Sequence, residues 1–326
     1  MNICIVGCGL IGRKRLQSLQ SEHQLVAAAD TLLERATALV GDRSGVMITA
    51  DWQAAVSMPE VEAVIVATTN QCLAPIALRA VQAGKHVLVE KPAARLLAEL
   101  EPVLSASREH QVCVRVGFNH RFHPAVQKAR EIFESGALGP LMFIRGRYGH
   151  GGRLGYEKEW RADPHSSGGG ELLDQGVHLI DLARWFLGDF QYVSGHLATY
   201  FWNMPMEDNA FLLLRTEHDR AAWLHASCTE WKNLFSFEIY GRNGKLHIEG
   251  LGGSYGMEQL KYYRMLPEMG PPETSAWEYP GTDPSWHREF EAFVAAIRGA
   301  RNSTATLEDA RAALKIVHQI YQGARR

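Results

Sequence analysis

Three residues in the middle of the chain have the types and spacing to handle a proton. Asp174, His178 and Asp181 stand at i, i+4 and i+7, so on a helix they share one face about two turns long. An imidazole stacked with carboxylates can serve as a general acid/base with an orienting partner. The competing reading is a buried Asp–His network that only ties the helix to its neighbours. The apolar residues around them, Leu172, Leu173, Val177, Leu179, Ile180, Leu182 and Leu187, recur at helical spacing. Gly168-Gly169-Gly170 precedes this helix and Gly188 ends it. Gly176 lies inside it at a cost of about 1 kcal/mol relative to Ala. Its bare backbone therefore points to close approach by a ligand or by another segment.

A second group lies at the N-terminus. Gly7-Cys8-Gly9-Leu10-Ile11-Gly12 follows an apolar strand and opens a helix, the context a G-x-G-x-x-G motif requires. Gly7, Gly9 and Gly12 permit a tight turn, and the backbone N–H groups around Leu10 and Ile11 can receive a pyrophosphate. Asp30 ends the next strand, about 20 residues on, where an acidic residue holds ribose hydroxyls and repels a 2′-phosphate. NAD is therefore favoured over NADP, although Arg35 could pair with the extra phosphate. Asp30 read structurally is a cap on the following helix. Arg13, Lys14 and Arg15 read as a solvated helix face.

These groups need a scaffold, and the hydrophobic pattern supplies one. Strands are expected at 2–6, 24–29, 45–49, 61–67, 86–89 and 112–117, separated by helices at 13–20, 51–56, 75–83 and 95–110. That alternation means a parallel, doubly wound sheet, which binds its ligand beyond the strand C-termini. Those ends carry Gly7, Asp30, Thr68, Asn70, Glu90, Lys91 and Asn119 as one polar rim, with Thr69 and Gln71 as further candidates for cofactor contact. Pro92 keeps Lys91 extended at its strand exit, where an ammonium can stabilise a developing alkoxide; otherwise Lys91 is an ordinary surface lysine. After residue 119 come a helix at 124–135, a strand at 141–148 and a Gly-rich loop at 149–167. The loop is read as a flap whose Trp160 and Arg161 come closest to substrate and nicotinamide, or else as a surface loop anchored by its Trp. Arg121 and Lys158 are further candidates for substrate contact. Strands at 192–200, 209–215, 221–229, 235–240 and 245–249 and helices at 286–298 and 307–321 complete the chain. Ala222, Leu224, Ala226 and Cys228 alternate with Trp223, His225, Ser227 and Thr229, so one sheet face packs on helices and the other presents an aromatic. The expected division is 1–119 and 120–326.

Composition narrows the class. The chain has 326 residues, 46% hydrophobic and 21% charged, with a formal net charge of −2. That suits a two-domain globular protein and argues against a general nucleic-acid binder. No apolar run approaches the ~20 residues of a membrane span, and the N-terminus shows no signal pattern. Cys4, Cys8, Cys72, Cys113 and Cys228 are scattered, without a C-x-x-C pair. They suit reduced thiols of a cytoplasmic protein, and no metal site is expected.

Three motifs in order, Gly7-x-Gly9-x-x-Gly12, Glu90-Lys91-Pro92, and Gly168-Gly169-Gly170 with Asp174-x-Gly176-x-His178-x-x-Asp181, make the chain resemble the glucose–fructose oxidoreductase and inositol dehydrogenase family. The resemblance covers nearly the whole chain. It implies an α/β protein with an N-terminal Rossmann domain and a C-terminal α/β domain built on a large, mostly antiparallel sheet. It also implies a nicotinamide cofactor, a sugar, polyol or sugar-nucleotide substrate, and Lys91, Asp174 and His178 as the catalytic group. A second subunit, giving a homodimer or homotetramer, would cover the free sheet face. Family members often carry His three residues after the Asn that ends the fourth strand; here that position is Leu73, with Gln71 a candidate replacement. The reading is a dehydrogenase in which His178 is the base, Lys91 steadies the alkoxide and Asp174 orients. An NAD-dependent glycoside hydrolase using transient oxidation, and a non-enzymatic cofactor-binding sensor, stand as alternatives.

Overall fold

The structure, a computed structural model, describes residues 1–324. The first part runs β1 (Asn2–Val6), α1 (Leu10–Gln17), β2 (Gln24–Ala29), α2 (Leu33–Val40), β3 (Met47–Thr49), α3 (Trp52–Ser57), β4 (Ala63–Val66), α4 (Asn70–Gln82), β5 (His86–Glu90), α5 (Leu97–Glu109) and β6 (Val114–Gly117). The six strands form one sheet in the order β3-β2-β1-β4-β5-β6, and every neighbouring pair is parallel. Ile3, Ile5, Ala63, Ile65 and Leu88 are buried almost completely, as continuous apolar strands covered on both faces must be. The turn after β1 depends on glycine. Gly7 has φ of 93°, and a Cβ there would stand 2.4 Å from the Ala67 carbonyl oxygen. A Cβ on Gly12 would stand 2.0 Å from the Gly7 carbonyl oxygen.

The second part adds α6 (Pro124–Glu134), β7 (Leu141–Gly149), α7 (Pro164–Ser167), a π-helical turn (Leu172–Gly176) and α8 (Val177–Leu187). It continues with β8 (Phe190–Ala198), β9 (Asn209–Thr216), β10 (Ala221–Ser227), β11 (Leu234–Gly241), β12 (Gly244–Glu249), β13 (Glu258–Arg264) and β14 (Glu273–Tyr279). The helices α9 (Ser285–Ile297) and α10 (Leu307–Ala324) close the chain. The eight strands order as β14-β13-β12-β11-β7-β10-β9-β8. Only β7 and β10 pair in parallel; the other pairs are antiparallel. Alternation along β10 behaves as expected: Ala222, Leu224 and Ala226 are wholly buried, while Trp223 is 62% exposed. Gly146 in β7 lets α8 lie close, because a Cβ there would meet Phe237, Leu224 and Leu179 side chains at 3.0–3.2 Å.

Several expectations need correction. β13 and β14 had no counterpart in the sequence reading; β14 is mostly exposed and mixed in polarity, with Glu273, Thr274 and Ser275, while β13 buries Glu258 and Leu260 among polar and aromatic residues. The first unit's leading segment ends at Phe118, one residue from the expected boundary at 119/120, but the units are not continuous in sequence. One compact unit consists of Met1–Phe118 together with His165–Gly168 and Trp286–Leu314; the other holds Asn119–Pro164, Gly169–Ser285 and the chain from Lys315 onward. The return segment supplies Phe290, Phe293 and Val294 to the first unit's core, beside Ile3, Leu25 and Leu39. Arg15 is not on a solvated face. It is fully buried, paired with Glu90 and Glu289. Among the described residues, no helix is long and apolar enough to cross a membrane.

Candidate active site

In the first unit the site begins at the glycine turn. Gly9 precedes α1, and nothing lies within 4 Å of where its Cβ would stand. No side chain caps α1, and the first N–H groups of any helix lack intrahelical acceptors. Bare backbone, open space and the positive end of a helix dipole form a cradle suited to a pyrophosphate. Leu10 and Ile11 supply its first turn, and Leu10 is 70% exposed. Asp30 stands beside it: its Oδ2 accepts the Cys8 N–H at 2.8 Å and its Oδ1 accepts the Leu32 N–H at 2.9 Å. One carboxylate thus fixes both the glycine turn and the start of the next segment, but it does not cap α2, whose N-cap is Leu32 with no side-chain cap. Arg35 is exposed on α2.

Thr68 and Thr69 lie between β4 and α4, Thr69 preceding the helix. Asn70 and Gln71 open α4; Asn70 is buried and its Nδ2 donates to the Ser167 carbonyl oxygen at 2.9 Å. Leu73, at the position where the family often has His, is fully buried core. Lys91 follows β5 directly and its bond to Pro92 is cis. Glu90 was expected as a cofactor contact. Its carboxylate instead accepts from the Arg15 Nε at 2.7 Å and is 7% exposed, because a carboxylate so buried needs a cation.

In the second unit Asp174 lies in the π-helical turn and His178 in the first turn of α8. In the π turn the regular i, i+4 spacing from Asp174 to His178 does not hold as it would on a plain α-helix. Asp174 accepts from the Arg161 Nε at 3.0 Å. Arg161, from the expected flap, stacks over Trp160 at 4.6 Å. Asp181 forms a buried two-pronged pair with Arg121, at 2.8 and 2.5 Å. The Arg121 guanidinium is thus held in a buried ion pair. Asn119 was also expected at the cofactor. Its Nδ2 donates to the Ser285 Oγ at 2.9 Å and its Oδ1 lies 3.2 Å from the His120 Nδ1. Lys158 is exposed.

His178 is 4% exposed and lies face to face with His120, ring centroids 3.8 Å apart at 22°. Tyr148 packs edge-on against both rings, and Tyr255 tilts against Tyr148 at 4.9 Å. Burial, then the neighbouring Tyr255, holds the Tyr148 phenol well above its ordinary range. His150 is pushed down by burial against the opposing pull of Asp174. Glu171, 2% exposed, accepts from the Tyr156 hydroxyl at 2.8 Å. His120, Tyr148, His150 and Glu171 escaped the sequence reading. For Tyr148 a signal existed: it lies on the inward face of β7 with Ile144 and Gly146. For Tyr255, in an irregular turn, there was none.

The glycine run ahead of this helix is explained by contacts. A Cβ on Gly170 would lie 2.2 Å from the Glu207 carbonyl oxygen, and one on Gly169 would lie 2.1 Å from the Tyr321 hydroxyl. The buried Glu207 Oε1 accepts the Gly170 and Leu172 N–H groups and the Tyr321 hydroxyl at 3.2, 3.1 and 2.8 Å, capping a helix start that has no local cap.

Residues 1–118 match the family model described as oxidoreductase family, NAD-binding Rossmann fold, and residues 126–247 match the family's GFO/IDH/MocA C-terminal domain. The chain belongs to this oxidoreductase family. Its first domain is accordingly an NAD-binding Rossmann fold, and the open glycine cradle fits that group. Among curated proteins it is 34% identical over 169 residues to the levoglucosan dehydrogenase of Pseudarthrobacter phenanthrenivorans, covering 49% of this chain and 41% of that protein. It is 31% identical over 225 residues to inositol 2-dehydrogenase 2 of Saccharopolyspora erythraea, covering 67% of this chain and 64% of the relative. The matched regions thus span less than two thirds of either relative. Among solved structures, levoglucosan dehydrogenase in complex with NADH superposes with a TM-score of 0.87 at 23% identity, covering 100% of this chain and 97% of that one. An NAD binding oxidoreductase from Klebsiella pneumoniae gives 0.86 at 22% identity, covering 100% and 98%. These likenesses show the fold.

Proposed function

We propose that the protein is an NAD-dependent dehydrogenase acting on a secondary hydroxyl of a sugar, polyol or sugar nucleotide. The observation that carries this reading is His178: a nearly buried imidazole at the start of α8, following the carboxylate of Asp174, in a chain whose first domain binds NAD. A nicotinamide held there would supply the hydride acceptor for the carbon that bears the hydroxyl. His178 takes the hydroxyl proton on a ring nitrogen, a task suited to imidazole near neutral pH. Lys91 holds its ammonium toward the oxygen that becomes a carbonyl and offsets the charge developing there. Asp174, fixed by Arg161, orients the substrate hydroxyls or His178. Thr68, Thr69, Gln71 and Trp160 are proposed to line the cofactor, with Asp30 on the ribose and Arg35 at its outer edge. The names of the curated relatives, levoglucosan dehydrogenase and inositol 2-dehydrogenase, support a polyol-like substrate. The exposed sheet face carrying Trp223, Leu213 and Tyr192 supports assembly into a homodimer or homotetramer.

The test is a panel of free sugars, inositols, glycosides and nucleotide sugars, followed simultaneously for NADH absorbance and glycoside cleavage. Net NADH formation with a member of the panel supports the dehydrogenase. Cleavage without net NADH replaces it by the hydrolase reading, and NADH binding without any turnover replaces it by the sensor.

A further inference from the structure

We propose that Arg15 is a positioning residue that locks the glycine-turn helix α1 to the Glu90–Lys91 strand exit, with α9 closing the lock. Its functional consequence, that the cofactor cradle and Lys91 are set together, rests on the dehydrogenase reading above. Three contacts define the lock. The Arg15 Nε and Nη2 reach one oxygen of Glu90 at 2.7 and 2.5 Å, and its Nη1 reaches Glu289 at 2.6 Å. All three residues are buried, Arg15 completely and Glu289 to 1% exposure. The Trp286 ring covers the guanidinium at 4.6 Å.

The sequence positions of these groups give the lock its meaning. Arg15 lies three residues past Gly12, one turn from the N–H groups that would meet a pyrophosphate. Glu90 immediately precedes Lys91. Glu289 comes from α9, far along the chain. A planar guanidinium fixes the direction of its partners in a way an ammonium does not. Space was cleared for it, since a Cβ on Gly117 would lie 2.6 Å from the Arg15 Nη2 and 3.1 Å from the Glu90 carboxyl. An apolar side chain would fill the same volume without desolvating three charges. What the triad adds over an apolar filling is fixed geometry between two segments that both carry proposed site residues.

The test uses the full chain with Arg15→Lys, which keeps the charge and removes the fork. Hydrogen exchange is followed by mass spectrometry in segments 9–16 and 86–94, with 141–149 as an internal reference, and NADH affinity by fluorescence titration. The expected result is faster exchange in the first two segments together, no change in the reference, and an NADH dissociation constant raised about tenfold, equivalent to about 1.4 kcal/mol. Exchange that rises in only one of the two segments, or equally in all three, overturns the proposal, as does NADH affinity within about twofold of the unaltered protein. Should Arg15→Lys fail to fold, Arg15→Gln, which keeps a hydrogen-bonding side chain but removes the charge and the fork, is judged by the same outcomes. An unaltered protein that binds no NADH refutes the dehydrogenase reading instead, and the exchange measurements still decide for or against the lock.

Discussion

At the scale of single residues, the proposed chemistry depends on His178 and Lys91. His178→Ala and Lys91→Ala are each expected to lower turnover by about two to four orders of magnitude, the usual worth of a general base or a positioned charge, while NADH still binds. Near-normal turnover in either variant, measured as NADH formation at saturating substrate, removes that residue from the mechanism. A second expectation concerns acid. Burial is the largest influence on His86, His150, His225 and His247, and it holds each below the ordinary value of 6.5. Their neutral forms therefore stabilise the fold at pH above 6.5, and that contribution is lost as pH falls through their depressed values. The melting temperature should drop between about pH 7.5 and about pH 5; a constant or rising value contradicts this. The chemistry-bearing residues themselves were legible, because Asp, His and Lys stand at recognisable spacings. Their partners were not. That Asp181 pairs with Arg121 and Asp174 with Arg161 is decided by contacts across 60 and 13 residues of sequence.

At the scale of elements, the glycine turn and the buried triad make the sharpest expectations. Gly12→Ala puts a methyl group 2.0 Å from the Gly7 carbonyl oxygen, so the turn must shift and NADH binding should be lost; calorimetric titration showing unchanged affinity would contradict the cradle. Arg15→Met leaves two carboxylates buried without their cation and should destabilise the protein by about 3–5 kcal/mol, read from urea unfolding. The parallel strands, the helices between them and the glycine turn were readable from sequence, since period and turn residues are local signals. The π turn at Leu172–Gly176 was not. It depends on Glu207 and Tyr321 holding the helix start from far along the chain, and nothing in the residues 172–176 announces a widened turn.

At the scale of the whole molecule, the C-terminal part completes the N-terminal fold. α9 contributes Phe290, Phe293 and Glu289 to the first unit. A fragment ending at residue 118 should therefore be largely unfolded by circular dichroism, and a cooperative melt of that fragment would contradict the assignment. The sheet face bearing Trp223, 62% exposed, and Leu213, 49% exposed, leaves two large apolar side chains on neighbouring strands uncovered in the single chain. Light scattering at micromolar concentration should return a multiple of the chain mass, and a single monomer mass would exclude the proposed oligomer.

The sequence by itself determined the fold class, the family and the dinucleotide turn, because hydrophobic period, glycine placement and short motifs are properties of neighbouring residues. Tertiary structure alone decided that Arg15 is buried, that Glu90 answers it, that Asp30 ties the glycine turn, and that His178 lies against His120. Charge neutralisation and ring stacking depend on which distant segments meet, and a linear order of residues does not encode that directly.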